Sequence, residues 1–153
     1  MLIGLISDTH SLMRAEALVA LAGVELILHA GDVGTFSVLR ELQGIAPTQA
    51  VYGNVDDPIL GLPQALDLTL DGLRIHVSHG HELGSPRPAS LLHHYTADVI
   101  VFGHTHKPLV EQHGGTLIVN PGAAGPRRFH LKPSVGLLTL NGGKATATIV
   151  ELG

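Results

Sequence analysis

The sequence predicts a mixed α/β fold with more strands than helices, and three observations carry that expectation. Short apolar runs recur from the first residues onward, two stretches with helical spacing separate the first three runs, and tight glycine-bearing turns join the later ones. Strands are expected at Leu2–Ser7, Glu25–His29 and Thr48–Tyr52, with helices at Leu12–Leu21 and Thr35–Leu42 between them, and Thr35 is of the residue type that caps a helix start. A strand, helix, strand, helix, strand order implies parallel pairing, because parallel neighbours need a crossover connection. The pattern then changes. Leu66–Leu70 and Leu73–Ser78 are separated only by Asp71-Gly72, a dipeptide that favours a type I′ turn, so an antiparallel hairpin follows. A helix at Pro88–Tyr95, with proline in its first turn, leads into a strand at Asp98–Phe102. Leu109–His113, Thr116–Val119, Val135–Leu140 and Lys144–Leu152 complete the strands, joined through Gly114-Gly115 and Asn141-Gly142-Gly143. No long linker or repeat interrupts these elements, and 153 residues suit one hydrophobic core, so residues 1–153 are expected to form a single domain.

Composition narrows the function. With 44% hydrophobic and 14% charged residues, the chain has the material for a core and lacks the polar excess of disordered sequences. A net charge of −4, nine Lys and Arg, three Phe, two Tyr and no Trp leave neither a basic face for duplex nucleic acid nor a stacking platform for single strands. The apolar opening Met1–Ile6 is stopped by Ser7 and Asp8, too short for a membrane span or a signal-peptide core, so no membrane role and a cytoplasmic location are expected. Cysteine is absent, which excludes thiolate chemistry and leaves nitrogen and oxygen as metal donors. Eleven histidines in so small a chain stand out against this background.

Five strands are followed directly by metal-ligand residue types: Asp8-Thr9-His10, Gly31-Asp32, Gly53-Asn54, His79-Gly80-His81 and Gly103-His104-Thr105-His106. In open α/β sheets ligands bind outside the carboxyl ends of strands, so segments far apart in sequence converge there. In extended chain, positions two apart point to one side, which pairs Asp8 with His10 and His104 with His106. Asp8, His10, Asp32, Asn54, His79, His104 and His106 are too many ligands for one ion and suit two that share a carboxylate. Asp32 is the candidate bridge, because its two oxygens can bind both ions about 3.5–4 Å apart. Mixed imidazole and oxygen donors suit Mn, Fe, Co, Ni or Zn better than Mg or Ca. Two divalent ions against two aspartates leave a locally cationic centre that draws a phosphate.

Together, Asp8-x-His10, Gly31-Asp32, Gly53-Asn54, Ser78-His79-Gly80-His81 and Gly103-His104-x-His106 resemble, in order and spacing, the five signature blocks of calcineurin-like metallophosphoesterases. The similarity runs on through Asn120-Pro121-Gly122 and is strongest to the small prokaryotic phosphodiesterases. The resemblance implies a four-layer α/β/β/α sandwich of two mixed sheets. It implies one ion on Asp8, His10, Asp32 and His106 and another on Asp32, Asn54, His79 and His104. Manganese would be the first activating ion, with a metal-bound hydroxide attacking phosphorus. Asp32, Asn54 and His79 would act catalytically by positioning metal and phosphate. Many members of the wider family carry histidine after the motif asparagine as a general acid, and here that residue is Val55. Aryl phosphodiesters are therefore expected to be better substrates than alkyl monoesters.

Asp56, His81 and Arg127 are candidates for contacts behind the ligands or with substrate, Arg128 being the second member of the same basic pair. His29 and His76 lie inside strand patterns, His93 and His94 on the late helix, and His113 and His130 at loops or strand ends, so all six are read as structural or surface residues. The leading function is a metal-dependent phosphoesterase acting on small phosphate esters. The alternative is a non-catalytic scaffold, since the family resemblance includes a retromer subunit that binds partner proteins with this fold; intact ligands favour the enzyme. A nuclease ranks last, and an exposed apolar strand or helix face is the candidate basis for a homo-oligomer.

Overall fold

Alternation along the strands sorts their side chains into separate layers. In β1 (Leu2–Ile6), Ile3 and Leu5 turn to one face while Leu2 and Ile6 turn to the other. The chain continues through α1 (Ala15–Ala20), β2 (Leu26–His29), α2 (Phe36–Gln43) and β3 (Thr48–Ala50). After a 3-10 turn at Pro58–Leu60 come β4 (Ala65–Leu70) and β5 (Leu73–Ser78), then a second 3-10 turn at His81–Leu83 and α3 (Pro88–His94). The last strands are β6 (Val99–Val101), β7 (Leu109–His113), β8 (Thr116–Asn120), β9 (Ser134–Asn141) and β10 (Lys144–Glu151). These elements belong to a computed structural model that describes residues 1–128 and 130–153.

The strands form two five-stranded sheets, ordered β10-β9-β1-β2-β3 and β4-β5-β6-β8-β7. Both are mixed. In the first, β1, β2 and β3 run parallel, as the helical crossovers require, and β9 closes antiparallel on β1. In the second, β5, β6 and β8 run parallel while the hairpin partners β4 and β7 run against them. The β4–β5 turn is built as its dipeptide predicts, with Asp71 and Gly72 both at positive φ, 51° and 78°.

Three apolar clusters fill the three gaps between four layers. Ile3, Leu5 and Leu28 of the first sheet meet Ile75, Val77 and Val101 of the second. Ala17 of α1 and Leu21 at its C-cap, with Val38 and Leu42 of α2, cover Ile27 and Val135 on the outer face of the first sheet. Leu91 of α3 covers Ile100 and Ile118 on the outer face of the second. Each fully buried aliphatic side chain contributes roughly 1.5–3 kcal/mol relative to exposure, so these clusters hold the layers together and leave the loops free for placement.

Two expectations shift on inspection. The first helix begins at Ala15 rather than Leu12, because the chain leaves β1 through His10 and Ser11 at φ 45° and 71°, and Arg14 is still extended. Thr35 does occupy the N-cap of α2, but its hydroxyl bonds Ser37 Oγ at 2.9 Å and caps no backbone N–H.

Candidate metal centre

The loops after β1, β2, β3, β5 and β6 meet at one end of the two sheets, and backbone hydrogen bonds stitch them together. Asp8 N donates to Gly31 O and His10 N to Asp32 O, each at 3.0 Å, and Gly103 N donates to His79 O at 3.0 Å. Asp8, His10, Asp32, His104 and His106 all have φ between 45° and 69°. The left-handed region costs a non-glycine residue on the order of 1 kcal/mol, so the surrounding packing must impose these conformations. The pairing of Asp8 with His10 thus comes from two left-handed turns and not from extended chain.

Asp8 and Asp32 face three imidazoles. Asp8 Oδ1 lies 3.8 Å from His10 Nε2, 3.8 Å from His79 Nε2 and 3.4 Å from His106 Nε2. Asp32 Oδ2 lies 3.7 Å from His10 Nε2 and 3.2 Å from His79 Nε2. Two clusters result, Asp8 with His10 and His106, and Asp8 with Asp32 and His79, with donor atoms inside each within 4.8 Å of one another. The remaining two expected ligands sit at the rim. The His104 ring stands edge-on to His79 at 5.2 Å, and Asn54 is exposed on the loop beside Asp32.

The converging atoms are buried and unpaired: Asp8 Oδ1, His10 Nε2 and His79 Nε2 have no hydrogen-bond partner among the described residues. An unsatisfied buried polar atom costs about 1–3 kcal/mol, so three aimed at one space call for a cation among them. The outward atoms, by contrast, are held. Ser7 Oγ donates to Asp8 Oδ2 at 2.6 Å and His104 N donates to it at 3.1 Å, while Val55 N donates to Asp32 Oδ1 at 3.0 Å. His79 Nδ1 donates to Ala30 O at 2.8 Å, which turns Nε2 toward the carboxylates.

Ionisation follows the same geometry. Burial pushes the Asp8 carboxyl up, and the approach of His10, His106 and His79 outweighs it, so its pKa falls well below the usual carboxylate range. Burial also opposes ionisation of Asp32, but His79 and the Val55 amide bring it down. Asp8 raises His10. Burial lowers His79, which Asp32 and Asp8 more than reverse. Burial and the charge of His79 lower His104.

Close approach at glycine lets the loops pack this tightly. A Cβ on Gly53 would run into the Asp32 backbone nitrogen, and one on Gly31 would meet His79 Nδ1 at 2.7 Å. Asp56 braces the same loops, accepting from Gly34 N at 3.0 Å and Gly53 N at 2.9 Å. His81 packs its ring 5.3 Å from His79, with Nδ1 3.8 Å from Glu82 Oε1. Arg127 and Arg128 are both exposed.

Three supports were not legible as site residues. His29, fully buried, donates from Nε2 to Thr9 Oγ1 at 3.0 Å and accepts from Gly31 N at 3.1 Å, clamping two ligand loops as a neutral ring. The donor role follows from Thr9 Oγ1, whose own proton goes to Val33 O. Asn120 donates to Gly103 O at 3.1 Å and to Thr105 Oγ1 at 3.0 Å, fixing the His104–His106 loop. Glu82 accepts from Gly80 N at 2.9 Å and from the Tyr95 hydroxyl at 2.7 Å.

The order of these loops, their donor types and the two-sheet frame agree with a family model that covers residues 1–143, described as the calcineurin-like phosphoesterase superfamily domain. The chain belongs to that superfamily. A probable metallophosphoesterase of Methanothermobacter thermautotrophicus is 35% identical over 164 aligned positions, which cover all of this chain and 94% of that protein. Phosphodiesterase YfcE of Escherichia coli is 30% identical, across 86% of this chain and 84% of that protein. The crystal structure of Chaetomium thermophilum Vps29 superposes with a TM-score of 0.84 at 21% identity, covering 98% and 97% of the two chains, a likeness of fold. Among the described residues of this calcineurin-like phosphoesterase, no helix is long and apolar enough to cross a membrane.

Proposed function

We propose that the protein is a two-metal phosphodiesterase acting on small phosphate esters, with Asp8, His10, Asp32, Asn54, His79, His104 and His106 as its ligands. The observation that carries this reading is the set of buried, unpaired atoms Asp8 Oδ1, His10 Nε2 and His79 Nε2 converging on one space. Oxygen and imidazole donors suit manganese, iron, cobalt, nickel and zinc alike, and the family resemblance puts manganese first. When bound, two such ions would supply Lewis acidity at the phosphoryl oxygens and lower the pKa of water from about 15.7 toward about 7.

The side chains have separable roles. Asp32 would be the shared carboxylate of this reading, supported by Oδ2 standing 3.7 Å from His10 Nε2 and 3.2 Å from His79 Nε2. Asp8 ties one oxygen to Ser7 and to the His104 amide, which leaves Oδ1 directed inward. The bond from His79 to Ala30 O keeps that imidazole from turning away. In this reading Asn54, exposed, and His104, half-buried, would orient a phosphate as well as bind metal. Val55, 59% exposed, offers no proton to a departing oxygen. A stable leaving group therefore favours reaction, which supports aryl diesters over alkyl monoesters, and the named activity of the YfcE relative supports diesters in general.

The test is hydrolysis of an aryl phosphodiester by metal-stripped protein titrated with Mn, Ni, Co, Zn and Mg, beside an Asp32→Ala control. Metal-dependent turnover abolished in the control is expected. No turnover with any ion, from folded protein, would overturn the reading in favour of a protein-binding scaffold of the same fold.

A further inference from the structure

We infer that the cavity beside the His104–His106 loop receives a second anionic group of the substrate, a phosphate or carboxylate carried on the alcohol side of the diester; the inference rests on the phosphodiesterase reading. The cavity holds about 300 Å3, with Pro86, Phe102 and Leu109 as its apolar lining and Arg87, Thr105 and Lys107 bringing polar groups to it. That volume is at the small end for ligand pockets, enough for part of a small molecule and not for a nucleic acid strand.

Its walls share two loops with the metal centre. Thr105 lies between His104 and His106, and Pro86 packs over the glycine between His79 and His81: a Cβ on Gly80 would come 2.8 Å from Pro86 Cγ and 3.6 Å from Phe102 Cδ2. The cavity and the metal centre therefore flank the same two loops. Pro86 and Phe102 are buried, so the floor is preformed.

Both cations rise from pinned backbone. Lys107 N donates to Thr105 Oγ1 at 3.2 Å, and that hydroxyl is itself held by Asn120 at 3.0 Å. Arg87 N donates to Ser90 Oγ at 3.0 Å while Arg87 O accepts from Leu91 N at 2.9 Å. Among the described residues neither side chain pairs with a carboxylate, whereas Arg74 and Lys132 pair with Asp98 and Glu151. Two uncompensated cations at one small cavity, in a chain with nine Lys and Arg and a net charge of −4, make a local positive field that selects an anion. The guanidinium fork matches phosphate or carboxylate oxygens, the ammonium adds a point charge, and the apolar floor takes the carbon skeleton between the two anions.

The probes are thymidine 5′-(p-nitrophenyl phosphate) with and without a 3′-phosphate, which share one leaving group and differ in the second anion. The manganese-loaded protein is expected to favour the 3′-phosphorylated ester by about tenfold in kcat/KM, the combined effect of two exposed charge pairs at the strong end of their range. The ratio should fall to near unity in Arg87→Gln/Lys107→Gln and shrink with salt. No preference in the wild type, or a preference that survives the double substitution, overturns the inference. A second readout is independent of turnover. Thymidine 3′,5′-bisphosphate titrated into metal-free protein should shift the amide resonances of Thr105, Lys107 and Arg87 more than thymidine 5′-phosphate does. That shift without hydrolysis of either ester would sink the phosphodiesterase reading and keep the anion site; hydrolysis without the shift or the preference would do the reverse.

Discussion

His29→Leu, compared with the wild type at pH 7 and pH 4.5 in chelator, isolates the stability held by one buried imidazole. His29 is fully buried and its ring bridges Thr9 to Gly31, so burial lowers its pKa from 6.5 to about 4. Between those two pH values the unfolded chain binds a proton that the folded chain refuses. The neutral ring's contribution is therefore complete above pH 6.5 and is lost as pH falls toward 4. The whole gap corresponds to roughly 3 kcal/mol, of which roughly 2 kcal/mol is lost between pH 7 and pH 4.5. Urea denaturation followed by circular dichroism reads this directly. At pH 7 the leucine variant should be the less stable protein, since the Gly31 amide loses its acceptor, and that deficit should shrink by roughly 2 kcal/mol at pH 4.5. Asp8, Asp32, His10 and His79 titrate in both proteins, so their effects largely cancel in the difference. An equal deficit at the two pH values would refute a neutral, buried clamp at His29.

Gly53→Ala forces a methyl against the Asp32 backbone, and should cost about 1–3 kcal/mol in denaturation while weakening manganese binding measured by calorimetry. Asp56→Ala leaves the Gly34 and Gly53 amides without their acceptor and should cost about 2–4 kcal/mol, read as a lowered Tm. His10 and His79 have raised pKa values in the metal-free protein, so an ion must displace their protons as pH falls. Manganese affinity should be at least about tenfold weaker at pH 6 than at pH 8, and a flat profile would argue against these two as ligands.

The mixed α/β class and the placement of the loops were legible because both depend on local pattern, whereas the four-layer sandwich came from the family resemblance. Short apolar runs located every strand, and Asp71-Gly72 announced the β4–β5 hairpin. What escaped was long-range. Nothing near Asn120 in sequence reveals that its amide holds Gly103 and Thr105, nor does the neighbourhood of Asp56 reveal a bond to Gly34. Those partners meet only when the sheets assemble. The start of α1 was misplaced because Leu12 and Met13 carry helical spacing while His10 and Ser11 are still turning out of the site at positive φ.

Stepwise addition of manganese to metal-free protein, with bound metal counted, the electron paramagnetic resonance spectrum recorded and aryl diester hydrolysis assayed at each step, tests the two-metal claim most directly. Two ions per chain, a spin-coupled spectrum, and activity that appears with the second ion and is absent in Asp32→Ala are expected. One uncoupled ion per chain with full activity, or two ions with no hydrolysis, would contradict it.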